Sequence, residues 1–232
     1  MKNSIFFVFL IVIISSCKQE RRDPAIVYYP AEWEPQEAML MGWTERQPEF
    51  FTLAADVARA LEGSTSVIFV SDTSENPVVF KEYLLENGLD TASFTFLTIP
   101  IRQALALRDI GPVYLVNGVG EKKAVDFRWA YQDYFERFLI EKGEEPDSAK
   151  IYASFFDRNQ KTDSLIAARN GTEVITSSLN LDGGAIEVNG KGTILLNEDW
   201  MFLVNPGYVA MGTAGHTDEY IRFANSNTIL LA

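Results

Sequence analysis

The sequence predicts repeated modules of helices and strands, in the α/β or α+β class. Segments with apolar residues at helical spacing alternate with short strands rich in β-branched residues. Two predicted hairpins lie on either side of one helix–strand pair. Each hairpin consists of two apolar runs around a glycine-containing turn. Every connection between these elements is short, as in compact domains. The predicted order is therefore hairpin, helix, strand and again hairpin.

The first half of the mature chain contains two predicted helices and two predicted strands. Apolar residues recur at helical spacing over residues 51–61, and a glycine ends that helix. Residues 66–70 predict a strand because β-branched side chains dominate them. Residues 77–86 predict a helix that has proline in its first turn and ends at Asn-Gly. Residues 95–99 predict the next strand.

The second half contains three predicted strand pairs and, between the first two, one helix followed by a strand. Asn-Gly-Lys-Gly lies at the turn of the middle pair and is typical of hairpin turns. The predicted helix covers residues 163–169, ends at Asn-Gly and leads into a strand at 173–176. The paired strands cover residues 113–117 with 124–129, 185–189 with 193–197, and 220–224 with 228–231.

Composition limits the class of partner. The chain has 232 residues and a formal net charge of −12, with no basic cluster, which excludes a nucleic-acid partner because phosphate binding needs Lys and Arg. The negative charge suits a cationic ligand, and it equally suits a soluble surface. One cysteine and one histidine exclude an internal disulfide framework and a cysteine-rich zinc site.

The N-terminus has the features of an export signal. Lys2 precedes an apolar run at residues 5–14, which is too short to span a bilayer. The run leads into Ile-Ser-Ser-Cys, which resembles the lipobox of bacterial lipoproteins and makes Cys17 the expected lipidation site. The alternative is a buried N-terminal element with an incidental cysteine. We expect a signal and lipobox at 1–17, a tether at 18–29, and an exported lipoprotein anchored on the periplasmic or cell-surface face of a membrane.

Three segments each have an aspartate near a glycine, at the end of a predicted strand pair. They hold Asp109 in Arg-Asp-Ile-Gly-Pro, Asp182 in Leu-Asp-Gly-Gly, and both His216 and Asp218 in Gly-His-Thr-Asp-Glu. An aspartate beside glycine is also an ordinary turn signal, and a lone histidine is often structural. Because alternate residues of a strand share a face, we expect His216 and Asp218 to point into one pocket.

Taken together, these side chains suit a planar cation. Carboxylates pair bidentately with the fixed N–H fork of a guanidinium group. An imidazole beside them can move protons to a departing nitrogen. A metal site is the alternative, but aspartates scattered around one histidine are unspecific for a metal. The sequence therefore predicts a small cationic guanidine ligand, with no metal and no cofactor.

At these motifs the chain resembles the agmatine deiminase and bacterial, Porphyromonas-type peptidylarginine deiminase family. Order and spacing make the set specific, although each motif alone is weak. The matching segments are Pro-Ala-Glu-Trp-Glu-Pro at 30–35, Met-Gly-Trp at 41–43, Arg-Asp-Ile-Gly-Pro at 108–112, Val-Asp-Phe-Arg at 125–128, Leu-Asp-Gly-Gly at 181–184 and Gly-His-Thr-Asp-Glu at 215–219.

The resemblance implies a pentein fold, a five-bladed α/β propeller of ββαβ units, with residues 30–232 as a partial catalytic domain. It also implies hydrolysis of agmatine or peptidyl-arginine to a ureido product and ammonia, through a Cys-thiouronium intermediate and without a cofactor. By the same resemblance, Asp109 and Asp218 bind the guanidinium nitrogens, and Asp182 holds the guanidinium or orients the imidazole. His216 protonates the leaving ammonia and then activates water.

Three departures from the family pattern qualify this implication. The family nucleophile is a cysteine in a glycine-rich segment near the C-terminus, whereas the only cysteine here is Cys17. Residues 197–208 look shortened, and Ala106-Leu107 lies where the family often has tryptophan. We expect a chain truncated to about three blades and inactive alone. The rival hypothesis is a non-catalytic guanidine-binding lipoprotein, or pseudoenzyme.

Overall fold

The computed structural model describes residues 27–102, 104–129, 131–196, 216–217 and 221–231. Two three-stranded sheets and two short hairpins hold the strands of these ranges, and no sheet among them closes on itself. Helices connect strands within both larger sheets. The fold is mixed α/β, as the sequence predicts.

The first sheet is entirely parallel, in the order β1, β2, β3. Its strands are β1 (Ala38–Gly42), β2 (Ser66–Asp72) and β3 (Thr95–Ile99), and the connecting helices are α1 (Phe50–Leu61) and α2 (Pro77–Glu86). The predicted bounds of α2 and β3 are confirmed, and α1 and β2 differ from prediction by one or two residues. Strand β1 was not among the predicted elements.

Aromatic packing fixes the two helices on this sheet. Trp43 stacks on Phe80 with ring centroids 5.0 Å apart, and Phe69 meets Phe80 edge-on at the same distance. Phe51 on α1 joins them, and all four rings are buried. Aromatic pairs of this kind add about 0.5–1.5 kcal/mol each beyond simple burial. These contacts therefore fix the position of both helices on the sheet.

A second apolar cluster joins the first sheet to the rest of the protein. Val70 and Ile99 supply it from the sheet, Leu107 from the segment that follows, and Ile166 from a helix of the next module. All four side chains are buried. This cluster fixes the position of residues 104–110, which carry one of the candidate site residues, relative to both sheets.

The second sheet has the hairpin–helix–strand order that the sequence predicts. Strand β4 (Val113–Val116) pairs antiparallel with β5 (Lys122–Arg128), and β5 pairs parallel with β6 (Glu173–Asn180). Helix α6 (Thr162–Arg169) precedes β6 and packs against the sheet. These four elements form a ββαβ unit.

Two helices that the sequence pattern does not predict lie between β5 and α6. They are α4 (Tyr131–Glu141) and α5 (Pro146–Ser154). Phe135 on α4 packs edge-on against Phe156 at 5.1 Å, and Phe156 in turn meets Trp129 at 6.1 Å. This pair of helices therefore packs beside the end of β5 through aromatic contacts.

Two hairpins follow the second sheet. Strands β7 (Ile186–Val188) and β8 (Ile194–Leu196) form the first, and β9 (Ile221–Asn225) and β10 (Thr228–Leu231) form the second. Asn189 organises the first turn, because its side-chain oxygen accepts from the backbone N–H groups of residues 191 and 193. Its amide nitrogen donates to the carbonyl of residue 226 at 3.0 Å, which ties the two hairpins together.

Several predictions fall outside the described residues. These are the export signal and Cys17, almost all of the tether, Asp218 and the stretch at 197–208. Within the ranges that the structure describes, no helix combines the length and apolar character needed to cross a membrane.

Candidate active site

The lone histidine lies between two carboxylates. His216 Nδ1 is 3.3 Å from Asp109 Oδ1, and His216 Nε2 is 3.3 Å from Asp182 Oδ2. The imidazole and Asp182 are almost fully buried, whereas the Asp109 side chain keeps 23% of its surface exposed. The structure thus brings together three of the four predicted site residues, and the fourth, Asp218, lies outside the described part.

A glycine permits the close approach of the two carboxylates. Asp109 lies on α3 (Leu107–Ile110), and Asp182 comes directly before the 3-10 turn that begins at Gly183. A Cβ atom on Gly183 would lie 2.0 Å from the carbonyl oxygen of Arg108, a distance that no side chain can occupy. The glycine of Leu-Asp-Gly-Gly therefore allows this turn to pack against the backbone of α3.

His216 is held against the same turn by its neighbour. The hydroxyl of Thr217 donates to the carbonyl oxygen of Ala185 at 2.9 Å, and this contact is buried. Neither His216 nor Thr217 lies in a strand, and Thr217 has 3-10 conformation, so the predicted strand is wrong at these two residues. The reason is local, since Thr217 satisfies its hydroxyl on the 183–185 turn instead of extending the segment along a sheet.

At neutral pH the charged forms of both His216 and Asp182 are favoured. Burial alone would lower the pKa of His216, but its contacts with Asp109 and Asp182 outweigh burial and raise that pKa to about 10. Burial raises the pKa of Asp182 to about 6, against the opposing attraction of His216. An imidazolium therefore lies between two carboxylates, and this cluster has one more negative than positive charge.

Asp182 retains unused hydrogen-bonding capacity. Neither of its buried Oδ atoms receives a well-aligned hydrogen bond from the described residues, although His216 lies 3.3 Å away and the indole of Trp129 is near enough to oppose the rise of the Asp182 pKa. Buried carboxylate oxygens are normally satisfied by donors, and an ionised carboxylate accepts several. A planar N–H donor that reaches these oxygens would supply such bonds.

A cluster of four charged residues supports the site from one side. Buried Glu187 on β7 contacts Arg222 at 2.5 Å and Arg108 at 3.3 Å, and Glu32 contacts both arginines as well. Burial would raise the pKa of Glu32, but Arg108 and Arg222 lower it below its usual value. This cluster joins the N-terminal segment, α3, β7 and β9. It fixes the side chain of Arg108, which is next to Asp109 in the sequence.

This charged cluster is not among the features that the sequence predicts. Its members are distant in sequence, since Arg222 and Glu32 are 190 residues apart. One signal was available: Glu187 is a charged residue between apolar Ile186 and Val188 in a strand that is buried throughout. A buried glutamate needs a charged partner, which could have directed attention to the arginines.

A second pair of carboxyl groups lies behind the site. Burial, reinforced by the nearby carboxyl of Asp126, raises the pKa of Asp163 to about 7. Asp163 and Asp109 line the same small internal space, together with Trp129 and Asn159. In the described ranges, no three His, Cys, Asp or Glu side chains are grouped so as to hold a metal ion.

A larger cavity of about 640 Å³ opens beside Asp109. Its size falls within the range of small-molecule sites, about 300–1,000 Å³. Ala106, where the family resemblance leads one to expect a tryptophan, is part of its wall. The other lining residues are Thr44, Arg46, Gln47, Arg102, Ala104 and Leu105.

Solved structures share this fold. An agmatine deiminase from Enterococcus faecalis superimposes with a TM-score of 0.55 at 20% identity, covering 76% of this chain and 45% of that one. An agmatine deiminase from C. jejuni superimposes with a TM-score of 0.62 at 17% identity, covering 88% of this chain and 63% of that one. At these identities the comparison concerns the fold alone.

Sequence comparisons assign the chain to a family. A protein named as an agmatine deiminase in Streptomyces avermitilis is 30% identical over 178 residues, which is 73% of this chain and 44% of that protein. A similarly named protein from Marinomonas is 30% identical over 181 residues. The chain spans less than half the length of these curated relatives. The sequence model of Porphyromonas-type peptidyl-arginine deiminase matches residues 28–206. The chain therefore belongs to the Porphyromonas-type peptidyl-arginine deiminase family.

Proposed function

We propose that this protein acts in the hydrolytic deimination of a guanidine, which converts a guanidinium to a ureido group and releases ammonia. The observation that carries the proposal is the placement of His216 between Asp109 and Asp182. Membership of a deiminase family supports it independently. We also propose that the ββαβ unit of the second sheet is one blade of a five-bladed propeller.

Recognition rests on carboxylates. A guanidinium presents N–H donors in a planar fork that carboxylates accept bidentately. Asp109 is the exposed carboxylate and borders the large cavity, so it meets the ligand first. Asp182 is buried and has oxygens available for donors. In the absence of ligand the imidazolium of His216 balances one of these two negative charges, and Asp218 is proposed as a further guanidinium partner.

The overall chemistry breaks one C–N bond and forms one C–O bond, so that a guanidinium and water give a urea and ammonium. In the family-type route a thiolate adds to the guanidinium carbon and ammonia leaves, which gives a thiouronium. Water then attacks that carbon and the thiol leaves. The raised pKa of His216 keeps it protonated, so it can donate to the leaving nitrogen and afterwards accept a proton from the attacking water.

The nucleophile is a separate question. A thiol is the class of nucleophile this route needs, and Cys17 is the only cysteine of the printed sequence. We propose Cys17 as the lipid attachment site and assign no residue of this chain as the nucleophile. The rival hypothesis stays a guanidine-binding lipoprotein that does no covalent chemistry.

Calorimetric titration of the full chain in detergent tests binding. Nα-acetyl-argininamide should bind, and Nα-acetyl-citrullinamide, in which a neutral ureido group replaces the guanidinium, should not. Asp109→Asn should weaken binding about ten- to a hundred-fold, because it removes a charge-assisted hydrogen bond of about 1.5–3 kcal/mol. Asp56→Asn is a matched control, since Asp56 is exposed and pairs with Arg59 on α1. Equal affinities for both ligands would refute guanidinium recognition.

An ammonia assay separates the two candidate functions. Ammonia and ureido product formed from agmatine or peptidyl-arginine, and lost in His216→Ala, would establish catalysis by this chain and eliminate the binding-only alternative. Binding without any product would favour that alternative for the printed chain. A His216-dependent turnover that persists in Cys17→Ala would show that the nucleophile is not a cysteine.

We propose that the protein is exported and anchored through Cys17. The support is the order of a basic residue, a short apolar run and a lipobox-like Ile-Ser-Ser-Cys. Stable anchoring usually needs more than one acyl chain, so we expect more than one. Metabolic labelling with a fatty-acid probe should mark the wild type and leave Cys17→Ala unmarked. Equal labelling of both proteins would refute the anchor.

A further inference from the structure

Trp129 and Asp182 lie at the ends of two neighbouring parallel strands. Strands β5 and β6 pair in parallel, and their last paired residues are Arg128 and Asn180. One residue further, the backbone N–H of Leu181 donates to the carbonyl oxygen of Arg128 at 3.1 Å. Because parallel strands run in the same direction, the residues that follow, Trp129 and Asp182, leave the sheet at the same edge. The sheet therefore brings a tryptophan beside the buried carboxylate of the candidate site.

Gln160 holds the backbone of Trp129 at both of its hydrogen-bonding groups. The N–H of Trp129 donates to Gln160 Oε1 at 3.1 Å, and Gln160 Nε2 donates to the carbonyl oxygen of Trp129. A neighbouring strand would normally supply such a pair of bonds, and here a side chain from another segment supplies it. The indole ring is buried and meets the ring of Phe156 edge-on at 6.1 Å. Backbone and ring of Trp129 are therefore both fixed.

The indole N–H of Trp129 affects the charge of Asp182. Burial raises the pKa of Asp182 to about 6, His216 opposes this rise, Asp109 adds to it, and the nearby indole of Trp129 opposes it again. A neutral N–H dipole beside a carboxyl group favours its charged form. A charged carboxylate accepts from a guanidinium more strongly than a neutral carboxyl group does. Trp129 therefore favours the form of Asp182 that suits a guanidinium ligand.

Other titratable groups approach this pair from two helices and from the segment of His216. Asp109 belongs to α3, and Asp163 belongs to α6 and lines the same small internal space as Trp129. The pKa of Asp163 is about 7, because burial raises it and the carboxyl of Asp126 adds to the rise. Asp163 is therefore mostly uncharged at pH 6, and Asp163→Asn separates its titration from that of Asp182.

We propose that Trp129 is a positioning residue for Asp182, which acts through its indole N–H, and that Gln160 holds the indole in place. Trp129 touches no ligand in this arrangement and acts only through the carboxylate. The inference rests on the proposed function where it concerns guanidine binding, whereas the contact between Trp129 and Asp182 is testable without any ligand.

The indole N–H of Trp129 gives a direct spectroscopic signature. The chain has four tryptophans, so the full chain in detergent, labelled with ¹⁵N-tryptophan, has four indole N–H groups to observe. The signal that disappears in Trp129→Phe belongs to Trp129. It should shift with pH around a midpoint of about 6 in the wild type and in Asp163→Asn, and stop doing so in Asp182→Asn. A signal that does not titrate, or that titrates equally in Asp182→Asn, overturns the inference.

The pH profile of ligand binding distinguishes positioning from a structural role. Trp129→Phe keeps an aromatic ring and removes the N–H, so it should raise the pKa of Asp182. Calorimetric titration with Nα-acetyl-argininamide should then show affinity about three- to ten-fold weaker at pH 6 and within about two-fold of the wild type at pH 8.5. An equal loss at both pH values would indicate packing alone and refute the positioning role. Trp43→Phe, in the aromatic cluster on the first sheet, is the matched control and should keep the wild-type profile.

A second variant tests the role of Gln160. Gln160→Met keeps the length of the side chain and removes both bonds to the backbone of Trp129. It should change the pH profile in the same direction as Trp129→Phe. A wild-type profile in folded Gln160→Met would refute the part assigned to Gln160. Thermal melts accompany both variants, and if Trp129→Phe does not fold, its signal is assigned by elimination and the Asp182→Asn titration still decides.

The outcomes separate this inference from the proposed function. If the indole signal of Trp129 titrates with Asp182 and no guanidine binds, the contact stands and the proposed function fails. If guanidine binds in an Asp109-dependent way while the indole signal ignores both pH and Asp182→Asn, the proposed function stands and the positioning role of Trp129 is refuted.

Discussion

Replacing Asp182 with asparagine should lower the pKa of His216 measurably. The substitution keeps the size of the side chain and removes one of the two negative charges that lie 3.3 Å from the imidazole. An opposite charge at this range changes a pKa by about 1–3 units. The pKa of about 10 in the wild type should therefore fall to about 7–9 in Asp182→Asn.

Nuclear magnetic resonance can measure this value without assignment, because the chain has a single histidine. The imidazole resonances of untagged protein would be followed against pH in the wild type, in Asp182→Asn and in the surface control Asp56→Asn. The control should match the wild type. A wild-type pKa near the ordinary value of 6.5, or one that Asp182→Asn leaves unchanged, would refute the proposed contact.

The same geometry predicts how stability depends on pH. The folded-state pKa of His216 is raised above its ordinary value, so the folded protein binds this proton more tightly than the unfolded chain does. This contribution to stability is fully present below about pH 6.5 and is lost as pH rises towards 10. Thermal denaturation across that window should show a falling midpoint in the wild type and a flatter profile in His216→Asn. Parallel profiles would contradict the prediction.

Three further predictions concern residues around the site. Gly183→Ala should destabilise the protein by roughly 1–3 kcal/mol or more in chemical denaturation, because its Cβ would clash with the carbonyl of Arg108; an unchanged midpoint would contradict this. Asp163, whose pKa is raised to about 7, should make the wild type lose stability as pH rises from about 4 to 7, and melts of Asp163→Asn should lack that loss. Glu187→Gln should lower the unfolding free energy by roughly 1–3 kcal/mol, because it breaks a buried charged contact, whereas the exposed control Asp56→Asn should change it by less than about 1 kcal/mol.

Elements with local signals could be predicted from the sequence. Helix α2 was predicted with its observed bounds because proline occupies its first turn and Asn-Gly ends it. The structure adds a cap, since the side chain of Asn76 accepts from the backbone N–H of Val78. The hairpin of β7 and β8 was predicted because the side chain of Asn189 and positive φ at Gly190 favour its turn. In both cases the determining residues lie within the element, so tertiary structure is not needed to recognise it.

Elements that depend on tertiary contacts were missed. Helices α4 and α5 pack through aromatic rings and leave Ile151 and Tyr152 largely exposed, so their apolar pattern does not mark a single buried face. The charged cluster could not be deduced from local spacing, since Glu32 and Arg222 come from opposite ends of the described chain. The candidate site residues were found through three short motifs, but their mutual distances follow only from the packing of the 183–185 turn on α3.

The central claim is that a guanidine ligand binds to the carboxylates that contact His216. It is tested most directly by following the single imidazole resonance while Nα-acetyl-argininamide is added at neutral pH. We predict a saturable change in the His216 signal, and a midpoint about ten- to a hundred-fold higher in Asp109→Asn. Binding that is detected by calorimetry but leaves the His216 resonance unmoved would place the ligand elsewhere and contradict the proposed site.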